Sequence, residues 1–120
     1  MIFRPEAGIL RCESDEEIRS TLGVMRQLRP HLTDDGYLPT VRRMMQAEGY
    51  RIAAAMEGGE VRAVAGYRVM EMLYAGRMLS VDDLVTDEAA RSGGWGKRLL
   101  DWLKDEGRRL GCSQIHLDSR

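Results

Sequence analysis

The chain has 120 residues, 43% of them hydrophobic and 31% charged, with 18 Lys and Arg against 19 Asp and Glu. That mixture describes one domain, residues 1–120, with a core of its own, and excludes intrinsic disorder, since a chain of this size buries about two-thirds of its unfolded surface. A formal net charge of -1 argues against nucleic acid as a partner, because phosphate backbones select strongly basic surfaces.

Met1 to Leu10 carries charges where a secretory leader would need an apolar centre, and no apolar run approaches the roughly 20 residues of a membrane span. A cytoplasmic protein with no membrane partner is expected. Cys12 and Cys112 stand far apart with no CxxC spacing, which suggests two free thiols in a reducing compartment. Neither His31 nor His116 has a Cys, His or carboxylate at ligand spacing, so no metal site is expected.

Ser14-Asp15-Glu16-Glu17 has the capping-box spacing and predicts a helix start. Ile18, Leu22, Met25, Leu28 and Leu32 then place one apolar stripe on a single helix ending near Pro30. Thr33 to Pro39 reads as a polar break. A second helix is predicted over Thr40 to Glu48, with Val41, Met44 and Met45 facing inward and Gly49 as its left-handed terminator.

Tyr50 to Met56 and Val61 to Tyr74 read as an antiparallel hairpin about the Glu57-Gly58-Gly59-Glu60 turn. After a turn at Gly76, Met78 to Thr86 is a third strand. Strict alternation puts Leu79, Val81, Asp83 and Val85 on one face and Ser80, Asp82, Leu84 and Thr86 on the other. A helix over Gly94 to Leu110 carries the stripe Leu99, Leu103 and Leu110, flanked by Trp102, and Gly111 ends it. Gln114 to Asp118 is a short last strand. A strand-helix-strand unit crosses over right-handed, so its two strands lie parallel. The fold class is therefore α/β or α+β, with a mixed, mostly antiparallel sheet, two N-terminal helices and one crossover.

The connection into that last helix holds the chemistry. Gly93, Gly94 and Gly96 lie between a strand and a helix, where backbone amides without a β-carbon in the way can approach an anion. Arg91, Lys97 and Arg98 cluster at the same helix start, although the macrodipole there disfavours cations unless an anion is bound. The segment lacks the Gly-x-x-x-x-Gly-Lys-Ser/Thr of a nucleotide P-loop. Leu99 stands where a dinucleotide fingerprint would have its third glycine, and Asp87 to Arg91 separate the glycines from the strand.

Leu84-Val85-Thr86 followed by Arg91-Ser92-Gly93-Gly94-Trp95-Gly96 resembles motif A of the GNAT superfamily of N-acetyltransferases, Gln/Arg-x-x-Gly-x-Gly/Ala after an apolar strand. The order of elements from Ile9 to Asp118 is similar to that fold. The resemblance implies acetyl-CoA, or another acyl-CoA, as the ligand. Arg91 and the amides of Ser92, Gly93, Gly94, Trp95, Gly96 and Lys97 would wrap its pyrophosphate, and backbone groups of Leu84, Val85 and Thr86 would pair with its pantetheine arm. It also implies direct acetyl transfer to an amine of a small molecule or protein. The carboxylate just before the pantetheine strand, Asp82 with Asp83 as second choice, would be the general base. The acceptor would sit against the N-terminal helices, where Asp34, Asp35 and Tyr37 could attract a cation.

A member of the family continues with a further strand, a helix and a final strand, and this sequence stops at Arg120. Tyr37, Tyr50, Tyr67 and Tyr74 all precede the motif, so none matches the tyrosine general acid of that later segment. The open edge near Gln114 to Asp118 implies a homodimer that covers it. The alternative is a non-catalytic CoA-binding or interaction module.

Overall fold

A computed structural model describes residues 7–117 of the chain. Five strands form one sheet in the order β1-β2-β3-β4-β5: β1 (Ala7–Arg11), β2 (Arg51–Glu57), β3 (Glu60–Met72), β4 (Gly76–Thr86) and β5 (Gln114–Leu117). The first four are antiparallel neighbours, and β5 runs parallel to β4. The mixed, mostly antiparallel sheet with one parallel crossover is the architecture that the sequence predicts. β1 was not foreseen, because a five-residue edge strand carries too little alternation to be read. The predicted last strand includes Asp118, which lies outside the described residues.

Three helices cover one face of the sheet: α1 (Asp15–Ser20), α2 (Leu22–Leu28) and α3 (Asp34–Glu48). The Ser14 capping box is present, with the Ser14 hydroxyl accepting from the Glu17 amide and the Glu17 carboxylate accepting from the Ser14 amide. The predicted single helix to Pro30 is broken at Thr21. The Thr21 hydroxyl donates back to the Ile18 carbonyl at 2.6 Å and lies 2.8 Å from the Tyr37 hydroxyl. This back-bonding gives the chain an alternative to the helical ladder and turns it between α1 and α2. Val24 is buried beside Met25 as a result, while Leu28 faces outward.

α3 begins six residues earlier than predicted. Thr33 caps it by accepting from the Gly36 amide at 3.1 Å, and the helix runs through Pro39. Proline forfeits the bond to the carbonyl four residues back, but that carbonyl belongs to exposed Asp35, where water can satisfy it. Gly49 ends the helix in the left-handed conformation, as predicted.

The opposite face is covered by α4 (Trp95–Arg109), preceded by a short 3-10 helix over Glu88–Gly93. Leu99 and Leu103 are fully buried against Ala53, Ala55, Ala63 and Ala65, whose small side chains let the helix approach the sheet closely. Ile52, Ala54 and Val64 alternate to the other face and pack under α1 to α3. No helix of the described residues is long and apolar enough to cross a membrane.

Candidate active site

The alternation read along β4 fails at one residue. In the ladder Gly66 pairs with Asp83 and Tyr67 with Val81, so Asp82 is an extra residue in β4 with no partner across the pair. Such a bulge shifts the phase of a strand by one. Val81 and Leu84 consequently pack on the same α4-side cluster, and Val85 packs under α1 to α3. The expectation that Asp82 shares a face with Leu84 is therefore corrected. Asp82 accepts from Ser80 Oγ at 3.1 Å, and Asp83 reaches Tyr50 at 2.7 Å. The bulge turns both carboxylates toward the face that carries the N-terminal helices.

The two acids have different surroundings. Asp82 accepts from Arg68 Nε at 2.6 Å, and Arg68 also donates to Glu48 at 2.7 Å. Asp83 lines a cavity of about 340 Å³ between β4 and α2 to α3. It accepts from Arg29 Nε at 3.0 Å, with Arg29 Nη2 2.9 Å away as an ion pair and donating to the Asp82 carbonyl at 3.2 Å, while the Tyr50 hydroxyl donates to its second oxygen at 2.7 Å. Burial and the neighbouring Asp83 charge push the Tyr50 phenol well above the usual range, so it stays protonated and donates. Tyr37 lines the same cavity, and burial pushes its phenol up to about 12.

Tyr50 reaches Asp83 only because residue 66 is glycine. A β-carbon there would overlap the Tyr50 hydroxyl and stand 2.7 Å from Asp83 Oδ2. A glycine inside a strand is a sequence signal for a bulge or a close approach, and Gly66 was the one available pointer to this arrangement. Arg29 carried no such signal, because its neighbours on the α2 helix differ little from any solvated helix end. Of the expected acceptor residues, Tyr37 lies in the cavity, whereas Asp34 is exposed and paired with Arg26 at 2.6 Å.

The second half of the site is the end of β4. The β5 ladder covers only Met78 to Val81. Among the described residues, Asp82 to Thr86 have no strand on that side; the Asp82 carbonyl is taken by Arg29 at 3.2 Å, and beyond it the strand edge of Leu84 to Thr86 has no ladder partner there. A cleft of about 510 Å³ lies alongside, lined by Leu84, Val85, Thr86, Glu88, Arg91 and, from α2, Gln27 and Leu28. Gln27 fixes α2 to the strand-helix connection, donating to Asp87 Oδ1 at 2.9 Å and accepting from the Glu88 amide at 2.9 Å.

At the cleft's far end Gly94 is left-handed with φ 74, and α4 starts with no side-chain cap and no acid in its first turn. The first amides of that turn have no intrahelical partner, the condition under which a helix start accepts an anion. Gly93 and Gly96 are glycine for lack of room. A β-carbon at Gly93 would lie 2.6 Å from the Trp95 indole nitrogen, and one at Gly96 would lie 2.9 Å from Thr86 Oγ1. The expected basic cluster is only partly aimed at this spot. Lys97 turns to Asp101 at 3.1 Å, and the Arg98 guanidinium stacks 4.3 Å over the Trp95 ring. Arg91 remains on the cleft wall beside Ser92, which is exposed.

The family model for the GNAT acetyltransferases matches residues 15–120, a span that includes both halves of this site. The chain belongs to the GNAT acetyltransferase family. A GNAT relative, the uncharacterized N-acetyltransferase YhdJ of Bacillus subtilis strain 168, is 34% identical over 106 residues, covering 88% of this chain and 75% of YhdJ. A GNAT acetyltransferase of Staphylococcus aureus superposes with a TM-score of 0.86 at 16% identity, over 96% of this chain and 87% of that one. The aminoglycoside enzyme AAC(6')-Iy, solved with a bisubstrate analogue containing CoA, gives a TM-score of 0.79 at 19% identity, over 95% of this chain and 80% of that one. These structural likenesses establish the GNAT fold of the chain.

Proposed function

We propose that this GNAT protein transfers the acetyl group of acetyl-CoA directly to a primary amine. One observation carries the reading: Asp83 and Leu84 are consecutive in β4, yet the first lines the 340 Å³ cavity and the second the 510 Å³ cleft. The two cavities therefore adjoin at one point of the strand. Acetyl-CoA supplies an activated thioester. Its pantetheine arm pairs with the free backbone edge of Leu84, Val85 and Thr86, and its pyrophosphate takes the amides from Ser92 to Lys97, with Arg91 beside them. A pyrophosphate supplies the negative charge that the uncapped start of α4 lacks.

In the transfer, the amine lone pair forms a new nitrogen-carbon bond at the thioester carbonyl, and the carbon-sulfur bond breaks with its electrons going to sulfur. The amine must lose a proton, and a carboxylate at the junction takes it before release to solvent or to the leaving sulfur. We assign this role to Asp83, supported by its lining the cavity, which Asp82, bonded to Arg68 and Ser80, does not. Tyr50 and Arg29 position that carboxylate. No covalent enzyme intermediate is needed.

Calorimetric titration with acetyl-CoA, followed by thiol release on an amine panel, tests the reading. Binding at one site per chain with release on at least one amine is expected. No binding overturns the cofactor site. Binding with no release on any amine supports a non-catalytic CoA-binding module instead. We further propose a cytoplasmic homodimer. Two free thiols support the compartment, and the exposed Leu73 and Tyr74 at the β3-β4 tip, with half-exposed Leu117 on β5, support association.

A further inference from the structure

The acceptor cavity has a chemical character that narrows the amine. Its wall is largely apolar, with Met25, Leu32, Val41 and Met44 beside the rings of Tyr37 and Tyr50. Among the described residues its single acid is Asp83, and that carboxylate accepts one bond from Arg29, which it also meets as an ion pair, and one from Tyr50. Arg29 and His31 lie on the same wall, and Arg43 stands next to it, donating to the lining Thr40 hydroxyl at 3.1 Å. A polycation entering here finds one acid for its several charges, and its remaining charges meet the Arg29 and Arg43 guanidiniums.

From this arrangement we infer that the acceptor is a free α-amino acid with an apolar side chain. Such a molecule carries its amine and its carboxylate on one carbon. Asp83 and Arg29 offer the matching pair of charges 2.9 Å apart. The substrate amine takes Asp83, its carboxylate takes the Arg29 guanidinium, and its side chain lies against the methionines, whose flexible thioethers adapt to several apolar shapes. A volume of about 340 Å³ is at the small end of ligand pockets. It suits one amino acid rather than an extended peptide.

This inference rests on the N-acetyltransferase reading, and its test separates the two. The purified protein, saturated with acetyl-CoA, is assayed for CoA thiol release with leucine, methionine and phenylalanine, with their carboxamides, and with spermidine and an aminoglycoside. The free amino acids are expected to be used at least about tenfold better in kcat/KM than their amides, the worth of one charge-assisted bond. In Arg29→Gln that ratio falls toward one, while retained acetyl-CoA binding shows the variant to be folded. A preference for spermidine or the aminoglycoside, equal use of acids and amides, or no turnover of the amino acids overturns the inference. A failure to bind acetyl-CoA, or binding with no thiol release on any amine of the panel, overturns the reading beneath it.

Discussion

The most demanding single residue outside the site is Glu106, whose side chain on α4 is 1% exposed. It accepts from Arg11 Nη2 at 2.7 Å and Nε at 2.9 Å, from the Tyr67 hydroxyl at 2.8 Å and from Arg109 at 2.9 Å. Paired chiefly with Arg11, the carboxylate is pulled down to about 2 from an ordinary 4.5. A group that binds its proton more weakly when folded stabilises the fold above its unfolded value, and loses that contribution as pH falls toward its folded value. Stability is therefore expected to be full at neutral pH and to fall between pH 4.5 and 2, by up to about 3 kcal/mol from this group. Urea midpoints across that range check it, and Glu106→Gln should flatten much of the slope while lowering the neutral-pH midpoint. Gly66→Ala tests the other crowded point. Its β-carbon evicts the Tyr50 hydroxyl from Asp83, so we expect a loss of about 1–3 kcal/mol in urea and at least tenfold slower transfer, with acetyl-CoA affinity little changed.

Among the elements, those that close their own local bonds were legible in the sequence, and those set by distant partners were not. The Ser14 capping box, the Gly49 terminator and the Gly58-Gly59 turn, with φ of 57 and 83, all act within a few residues, so their spacing showed them. The break at Thr21 depends on Tyr37, sixteen positions away, and the β4 bulge depends on what Gly66 lets through from Tyr50. Local periodicity carries no trace of either. The 3-10 helix over Glu88–Gly93 was hidden for a similar reason, because Gln27 of α2 holds the Asp87–Glu88 turn from outside. The junction it makes with α4 is the sharpest test of the cofactor site. Gly94→Glu puts a side chain and a negative charge at a left-handed position facing open space. Acetyl-CoA affinity should fall at least a hundredfold in calorimetry, and strain at φ 74 should cost about 1 kcal/mol in stability. Unchanged affinity would refute the assignment.

For the molecule as a whole, the mixed, mostly antiparallel sheet with one parallel crossover followed from the sequence because hydrophobic pattern and the handedness of the crossover set it, whereas the edge strand β1 and the division of the first helix at Thr21 did not. The phase of β4 did not follow either, and with it Asp83, not Asp82, lines the cavity beside α2 and α3. The proposed dimer is tested at this scale: Leu73 and Tyr74 project from the end of the long hairpin, and light scattering is expected to give twice the 13.6 kDa of one chain. A mass of one chain would refute the dimer. The chain has two tryptophans, and the fold has put them in separate neighbourhoods. Trp95 is sandwiched between Gly93 and the Arg98 guanidinium at the start of α4, while Trp102 lies under Arg11 and edge-on to Tyr67. The protein therefore contains its own optical reporter. Occupancy of the glycine loop should alter the emission of Trp95 and leave that of Trp102 unchanged, so cofactor arrival can be timed by fluorescence in Trp102→Phe without any label.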